Sequence, residues 1–273
     1  MNKKIIFLDI DGTIRNFDGT IPDSTVSAIQ KAREHGHKVC ISTGRPLFQV
    51  SREVLNIGFD GVISDSGGYV VYEGECVRNA CYDPKLYTEL CGDLLRKGCI
   101  VELQRHDRGF VPVEVQKQYQ LVIQGMIATM GEGADDFVKN LPGYEPDWKS
   151  VTGIEKILYF CSKEVYEQIR QEWGEKVHVT SFSIPNTAVY GGEISPMNIK
   201  KKEGMISILE KAGFSREDTI AIGDSDNDID MLEFAAVGVA MGSGTVNAKA
   251  AADFVTDPLM QDGLAHAFEK LGL

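Results

Sequence analysis

The sequence predicts an α/β fold: a parallel-sheet core laid down in two halves, with an α+β unit inserted between them. Three observations carry this. The chain opens on a nearly unbroken apolar run, Ile5-Ile6-Phe7-Leu8, the pattern of a strand buried on both faces of a parallel sheet. Short apolar strands then alternate with helical periodicity over residues 1–82, and do so again over residues 191–273. Residues 83–190 break that rhythm and read as a separate unit.

After the first strand, Asp18-Gly19 signals a tight turn, so a small β-flap is expected over 13–21. Asp23 or Ser24 can cap a helix carrying Val26, Ile29 and Ala32, and Gly36 can end it. Residues 37–42 read as a second buried strand. Pro46 suits the first turn of a helix over 47–55. Residues 61–64 give a third short strand, and 69–78 a hairpin around Glu73-Gly74. In the inserted unit Pro84 opens a helix to Lys97, followed by a strand at 99–103. Residues 111–150 have mixed periodicity, punctuated by Gly131, Gly133, Pro142, Gly143 and Pro146. A strand at 156–161 and a helix at 163–173 follow. Beyond Gly191-Gly192 come a helix over 201–211 ending at Gly213 and a strand at 219–222 running into Gly223-Asp224. A helix from Asp226 to Phe234, a strand at 238–241, a helix at 248–252 and a last strand at 254–256 complete the order.

At 273 residues the chain has room for one large or two modest domains. Its 43% hydrophobic content allows a core that needs no staples. A net charge of −12 argues against nucleic-acid or anionic-membrane partners, which call for a basic face. A small anionic substrate stays open, because a metal and a few lysines reverse the field locally. None of the six cysteines forms a Cys-x-x-Cys pair or a zinc-spaced Cys/His cluster, so a reducing compartment is the simplest reading. Cys40, in an apolar strand, reads as a small core residue. The apolar run before Asp9 is only four residues long, too short for a signal peptide, and no run approaches membrane-helix length. A cytoplasmic protein, monomeric or weakly homo-oligomeric, is expected.

Four clusters fall where strands run out into loops, the ends at which open α/β sheets bind ligands. They are Asp9/Asp11, Thr43-Gly44-Arg45, Lys200-Lys201-Lys202 and Gly223-Asp224-Ser225-Asp226-Asn227-Asp228. Carboxylates about 4 Å apart repel by roughly 4 kcal/mol at an effective dielectric near 20. Such a pair needs a shared proton or a cation, and a hard divalent ion, Mg²⁺ above all, suits it. Gly12 allows backbone to approach a ligand closely. Each cluster alone has a plainer reading: a helix cap, a turn, a solvated lysine face, an acidic loop. An EF-hand is a poor match, because the place of its closing Glu holds Ala235.

Together and in this order the clusters resemble the haloacid dehalogenase-like superfamily, above all the Cof-type sugar-phosphate phosphatases. The shared motifs are Asp-x-Asp-Gly-Thr, a strand-end Ser-Thr-Gly-Arg, a lysine opening a helix, and Gly-Asp-x-x-Asn-Asp. The resemblance implies a Rossmann-like core over 1–82 and 191–273, with an α/β cap over 83–190. It implies that Asp9 is the nucleophile, forming an aspartyl-phosphate, and Asp11 the general acid and then base. Thr43 and the Gly44 amide would hold the phosphate, with Gly12 beside it; Arg45 could pair with substrate or with a core carboxylate. Mg²⁺ would sit on Asp9, the Asp11 carbonyl and Asp224, with Asp228 orienting metal-bound water. Asn227 would touch the phosphate or steady its loop. The family's lysine precedes a small residue by three and an apolar one by four, which Lys201 fits through Gly204 and Met205; Lys200 is the alternative. Gly67-Gly68 resembles a family loop near the active site, or is a hairpin turn. Small phosphorylated metabolites are the implied substrates.

Rival readings stay open at this point. A phosphomutase or phosphotransferase of the same superfamily would return the phosphoryl group to a second hydroxyl. A receiver-like phospho-acceptor regulator uses similar residues, but is far shorter and has no inserted unit. A non-catalytic binding module would not need every motif residue.

Overall fold

The computed structural model describes residues 3–130, 141–180, 182–183 and 190–273. In chain order the main elements are β1 (Ile5–Leu8), α1 (Asp23–Glu34), β2 (Lys38–Ser42), α2 (Arg52–Asn56), β3 (Gly61–Ser64), β4 (Tyr69–Tyr72) and β5 (Glu75–Asn79). Then come α3 (Pro84–Arg96), β6 (Ile100–Arg105), β7 (Arg108–Pro112), α4 (Gln116–Met130), β8 (Gly143–Glu145), β9 (Lys156–Cys161), α5 (Lys163–Trp173), β10 (Val177–Val179), β11 (Phe182–Ser183) and β12 (Tyr190–Pro196). The chain closes with α6 (Lys201–Ala212), β13 (Thr219–Gly223), α7 (Ile229–Phe234), β14 (Val237–Ala240), α8 (Val246–Ala251), β15 (Phe254–Val255) and α9 (Gly263–Leu271).

The chain divides into two compact units, Met1–Asn79 with Lys200–Leu273, and Ala80–Ile199. The first holds a sheet in the order β15-β14-β13-β1-β2-β3-β4-β5. Its strands are parallel from β15 to β3, and β4 and β5 are antiparallel additions. β1 lies between β2 and β13, so the order of connection reverses beside it. Side chains alternate across β1. Ile6 and Leu8 enter one layer with α1 and α9 residues Ile29, Ala32, Leu264 and Phe268. Ile5 and Phe7 enter the other, with Met205, Ile208 and Leu209 of α6 and Met231 of α7. Complete burial on both faces explains the unbroken apolar run.

The second unit holds a sheet in the order β10-β12-β9-β6-β7-β8, with β11 also pairing β12. Most of its pairs are antiparallel; β7 and β8 run parallel. α3 and α5 bury Leu90, Leu94, Ile169 and Trp173 against Val101, Leu103, Ile157 and Tyr159. Tyr119 and Ile123 of α4 pack with Val111, Leu158 and Phe160.

Four sequence expectations need correction. Residues 13–21 hold no β-flap strand; a lone bridge joins Asp11 to Arg15, and the 16–20 turn closes on itself through Gly19 N to Asn16 O (2.9 Å) and Asn16 N to Thr20 O (2.8 Å). Pro22, not Asp23 or Ser24, occupies the cap position of α1. The helix expected over 47–55 is interrupted: a single turn at Leu47–Gln49 ends where the buried Val50 turns extended, and Ser51 caps a new helix through Val54 N. The inserted unit does not end at residue 190, because β12 pairs with β9 and β10, which keeps the chain in the second sheet. The residues of 111–150 that resisted reading form β7, α4 and β8; Gly131 and Gly133 lie outside the described residues. Gly67 and Gly68 lie in the connection of the β3–β4 hairpin.

Candidate active site

β1, β2 and β13 are parallel neighbours, so their carboxyl ends share one edge of the sheet. The Asp9 amide continues the ladder by donating to Ile222 O at 3.0 Å. That bond brings the first acidic segment beside the loop that carries Asp224. Parity does the rest. Asp9 is two residues beyond Phe7 and faces the α6 layer.

α6 presents Lys201 there. Its Nζ donates to Asp9 Oδ1 at 2.7 Å and to Asp228 Oδ1 at 2.5 Å. All three side chains are buried. Gly204, one turn along α6, allows this close seat, since a Cβ there would lie 2.5 Å from Ile63 Cγ2. Lys200 is exposed at the cap position, and the Lys202 amide donates to Asp230. Of the three lysines, only Lys201 reaches the carboxylates.

Asp228 is committed on both oxygens. Oδ2 accepts from the Asp224 amide (3.0 Å), the Ser225 amide (3.0 Å) and the Ser225 hydroxyl (3.2 Å). It ties the acidic loop to Lys201. Asp226 instead accepts from Thr245 and Asn247, anchoring the start of α8.

Thr43 ends β2 almost fully buried. Its Oγ1 accepts from the Arg45 amide at 3.1 Å, which leaves the hydroxyl proton to donate elsewhere. The Arg45 guanidinium grips Asp11 in a fork, Nε to Oδ2 at 2.7 Å and Nη2 to Oδ1 at 2.6 Å. Gly44 lies close to Asn227, since a Cβ on it would meet Nδ2 at 3.4 Å. Asn227 Oδ1 accepts from Ser225 Oγ. The four clusters are thus linked around one strand-end edge.

The oxygens of Asp9, Asp224 and Asp228 lie within 4.8 Å of one another. Burial pushes Asp9 up to about 8, with Lys201 opposing and Asp228 reinforcing the shift. Burial, then Asp228, pushes Asp224 up to about 7. Lys201 is held above its ordinary range: burial opposes its charge, but Asp228 and Asp9 outweigh it. One ammonium among three carboxylates leaves the site short of positive charge. The buried Asp224 Oδ1 has no hydrogen-bond partner. Gly12 lies close by at φ +87°, where a Cβ would stand 2.3 Å from Asp224 Oδ2. Crowded oxygens, an orphaned carboxylate oxygen and hard donors together fit a divalent cation such as Mg²⁺. The Asp11 carboxylate stands outside this trio, taken by Arg45; the expected metal contact of Asp11 concerned its main-chain carbonyl.

Sequence reasoning missed one feature. Asp65 and Ser66 have φ of 49° and 55°, uncommon for residues with a side chain. Their amides donate to Arg45 O (2.9 Å) and Thr43 O (3.0 Å), so this turn braces the Thr43-Gly44-Arg45 segment. No periodicity or motif announces that conformation. Of the two partners open to Arg45 in the sequence, substrate or a core carboxylate, the structure shows the carboxylate, Asp11.

A profile of the haloacid dehalogenase-like hydrolases matches residues 6–268. The YkrA protein of Bacillus subtilis (strain 168) is 30% identical over 277 residues, spanning 100% of this chain and 99% of its own. The 5-amino-6-(5-phospho-D-ribitylamino)uracil phosphatase YcsE of the same organism is 28% identical, covering 97% of this chain and 94% of its own. Among solved structures, a protein from Geobacillus kaustophilus HTA426 superposes with a TM-score of 0.85 at 26% identity, covering 99% of each chain. The subclass IIB sugar phosphatase BT4131 of the same superfamily gives 0.80 at 26% identity, again over 99% of each chain.

Proposed function

The chain belongs to the haloacid dehalogenase-like hydrolases, and from that premise we propose that it is a Mg²⁺-dependent phosphatase of small phosphorylated metabolites, acting through an aspartyl-phosphate on Asp9. One buried ammonium held between two buried carboxylates, beside a third with an orphaned oxygen, carries this reading. The relatives' phosphatase and sugar-phosphatase names support the class of reaction.

In this reading Asp9, Asp224 and the Asp11 carbonyl would hold Mg²⁺, with Asp228 beside them. When bound, Mg²⁺ supplies charge that draws phosphate in and offsets the negative charge of the transferring group. Lys201 fixes the Asp9 rotamer through Oδ1 and stays protonated. Asp9 attacks phosphorus, and the bond to the leaving oxygen breaks. The Thr43 hydroxyl and the Gly44 amide donate to phosphoryl oxygens, and Asn227 lines the same rim. Asp11 protonates the leaving oxygen, then takes a proton from the water that cleaves the acyl phosphate. To do so its carboxylate turns out of the Arg45 fork, so Arg45 sets the resting position of the acid.

A panel of sugar phosphates, pyridoxal phosphate and flavin mononucleotide tests the reading, with inorganic phosphate as the readout. Mg²⁺ should support release, a chelator should stop it and added Mg²⁺ should restore it. Undiminished release in excess chelator would overturn the metal assignment. No release from any member would overturn the substrate class.

A further inference from the structure

Outside the active site, the second unit brings two thiols together. β6 and β9 are antiparallel, with Ile100 opposite Phe160 and Val101 opposite Tyr159. Carried one residue beyond the ladder, the same register brings Cys99, the residue just before β6, towards Cys161 at the end of β9. Parity sends both side chains to one face: Val101 and Leu103 share the face of Cys99, and Tyr159 and Ile157 that of Cys161. All six belong to the layer under α3 and α5. Neither of the other two strand cysteines lies opposite a cysteine. Cys40 lies opposite Phe7 and Gly61, and Cys76 opposite Val71.

We propose that Cys99 and Cys161 form a reversible oxidative modification site, a cross-strand dithiol that closes to a disulfide when it meets a small disulfide oxidant. Directly opposed residues in an antiparallel pair have Cα atoms about 4.5–5.5 Å apart. A disulfide accepts Cα separations of about 4.4–6.8 Å, so closure asks little of the backbone. Access differs between the two sulfurs: Cys99 is fully buried, whereas Cys161 is half-exposed. The neighbouring Cys99 holds the Cys161 thiol below its ordinary range, while Cys161 and burial push the Cys99 thiol up. Cys161 is therefore the attacking sulfur and Cys99 the resolving one.

With oxidised glutathione as oxidant the steps balance. The Cys161 thiolate attacks one glutathione sulfur. The S–S bond of the oxidant breaks, one glutathione thiolate leaves, and a mixed disulfide remains on Cys161. The Cys99 thiol loses its proton and attacks the Cys161 sulfur, expelling the second glutathione thiolate. Two protein thiols give up two electrons, and the oxidant becomes two thiols. An added dithiol reverses the sequence. Such transient bridges are the kind that a reducing compartment permits.

The folded full-length chain, treated with oxidised glutathione, quenched in acid, alkylated and digested, tests this by mass spectrometry. The expected product is a linked peptide pair containing Cys99 and Cys161, lost on treatment with a dithiol. Cys40 and Cys91 should remain alkylatable after unfolding. Cys99→Ser should trap glutathione on Cys161, and Cys161→Ser should leave Cys99 without an adduct. The wild-type map decides alone, so a variant that folds poorly hides nothing. A stable glutathione adduct on Cys161 beside a free Cys99, oxidation confined to Cys76 and Cys81, or no modification at all would each overturn the proposal.

Discussion

Both units bury charged side chains, but they balance them differently. In the second, Glu102 accepts from Tyr119 and Gln104, Lys156 meets Glu193, and Glu155 meets His106. Every one of those buried charges has a protein partner. In the first unit, one lysine answers three carboxylates at the strand ends, and an oxygen of Asp224 is left over. Buried charge alone therefore does not mark a site. What sets the strand-end site apart is that oxygens of three buried carboxylates lie within 4.8 Å of one another around one ammonium, a crowding that calls for a further cation.

Substitutions on either side of this contrast break or sharpen it. On the proposed mechanism, in which Asp9 forms the acyl phosphate, Asp9→Asn should lower phosphatase turnover by at least about 10⁴-fold. Its far-UV circular dichroism should not change. Turnover within tenfold of wild type would remove Asp9 from the chemistry. Asp224→Asn relieves the surplus without touching Lys201, and should weaken apparent Mg²⁺ activation by at least about 10²-fold. A titration of activity against Mg²⁺ reads this directly.

Asp60 is a balanced carboxylate within the first unit. Burial would raise its pKa, yet the Val39 amide, Arg33 and Lys38 together hold it below the ordinary range. With the folded value depressed, its stabilisation is present above the unfolded pKa of about 3.9 and fades as pH falls through the folded value. Asp60→Asn should cost about 1.5–3 kcal/mol in urea unfolding at pH 7, and much less at pH 3. Equal losses at both pH values would contradict the charge assignment. The smallest effect belongs to Glu102→Gln, which keeps an acceptor for Tyr119 and should cost about 1 kcal/mol. Mg²⁺ activation should not move. A changed metal dependence in that variant would break the contrast between the units.

The parallel half of the fold was legible because its strands are buried on both faces: Ile5–Leu8, Lys38–Ser42 and Thr219–Gly223 read as apolar runs bounded by turn chemistry. Boundaries failed where tertiary pairing overrides local signal. Gly191-Gly192 looks like punctuation, yet both residues sit inside β12, and Gly192 has no side chain because Thr180 O occupies the place of a Cβ at 2.0 Å. The acidic residues could be named from sequence, because strand ends in an α/β sheet converge by topology. Which carboxylate each cation meets could be named only in part. That Arg45 turns to Asp11, and that Asp228 binds Lys201 rather than facing solvent, depends on rotamers set by packing.

The position of β1 between β2 and β13 also governs when this centre can exist. Asp9 and Lys201 meet across 192 positions of sequence, and the strand beside β1 arrives later still. A nascent chain leaving the ribosome completes the contiguous second unit while the first sheet is missing its far half. The amino-terminal segment must wait, apolar and unpaired on one side, until the last third is made. Silence of the enzyme until synthesis is nearly finished follows from strand order.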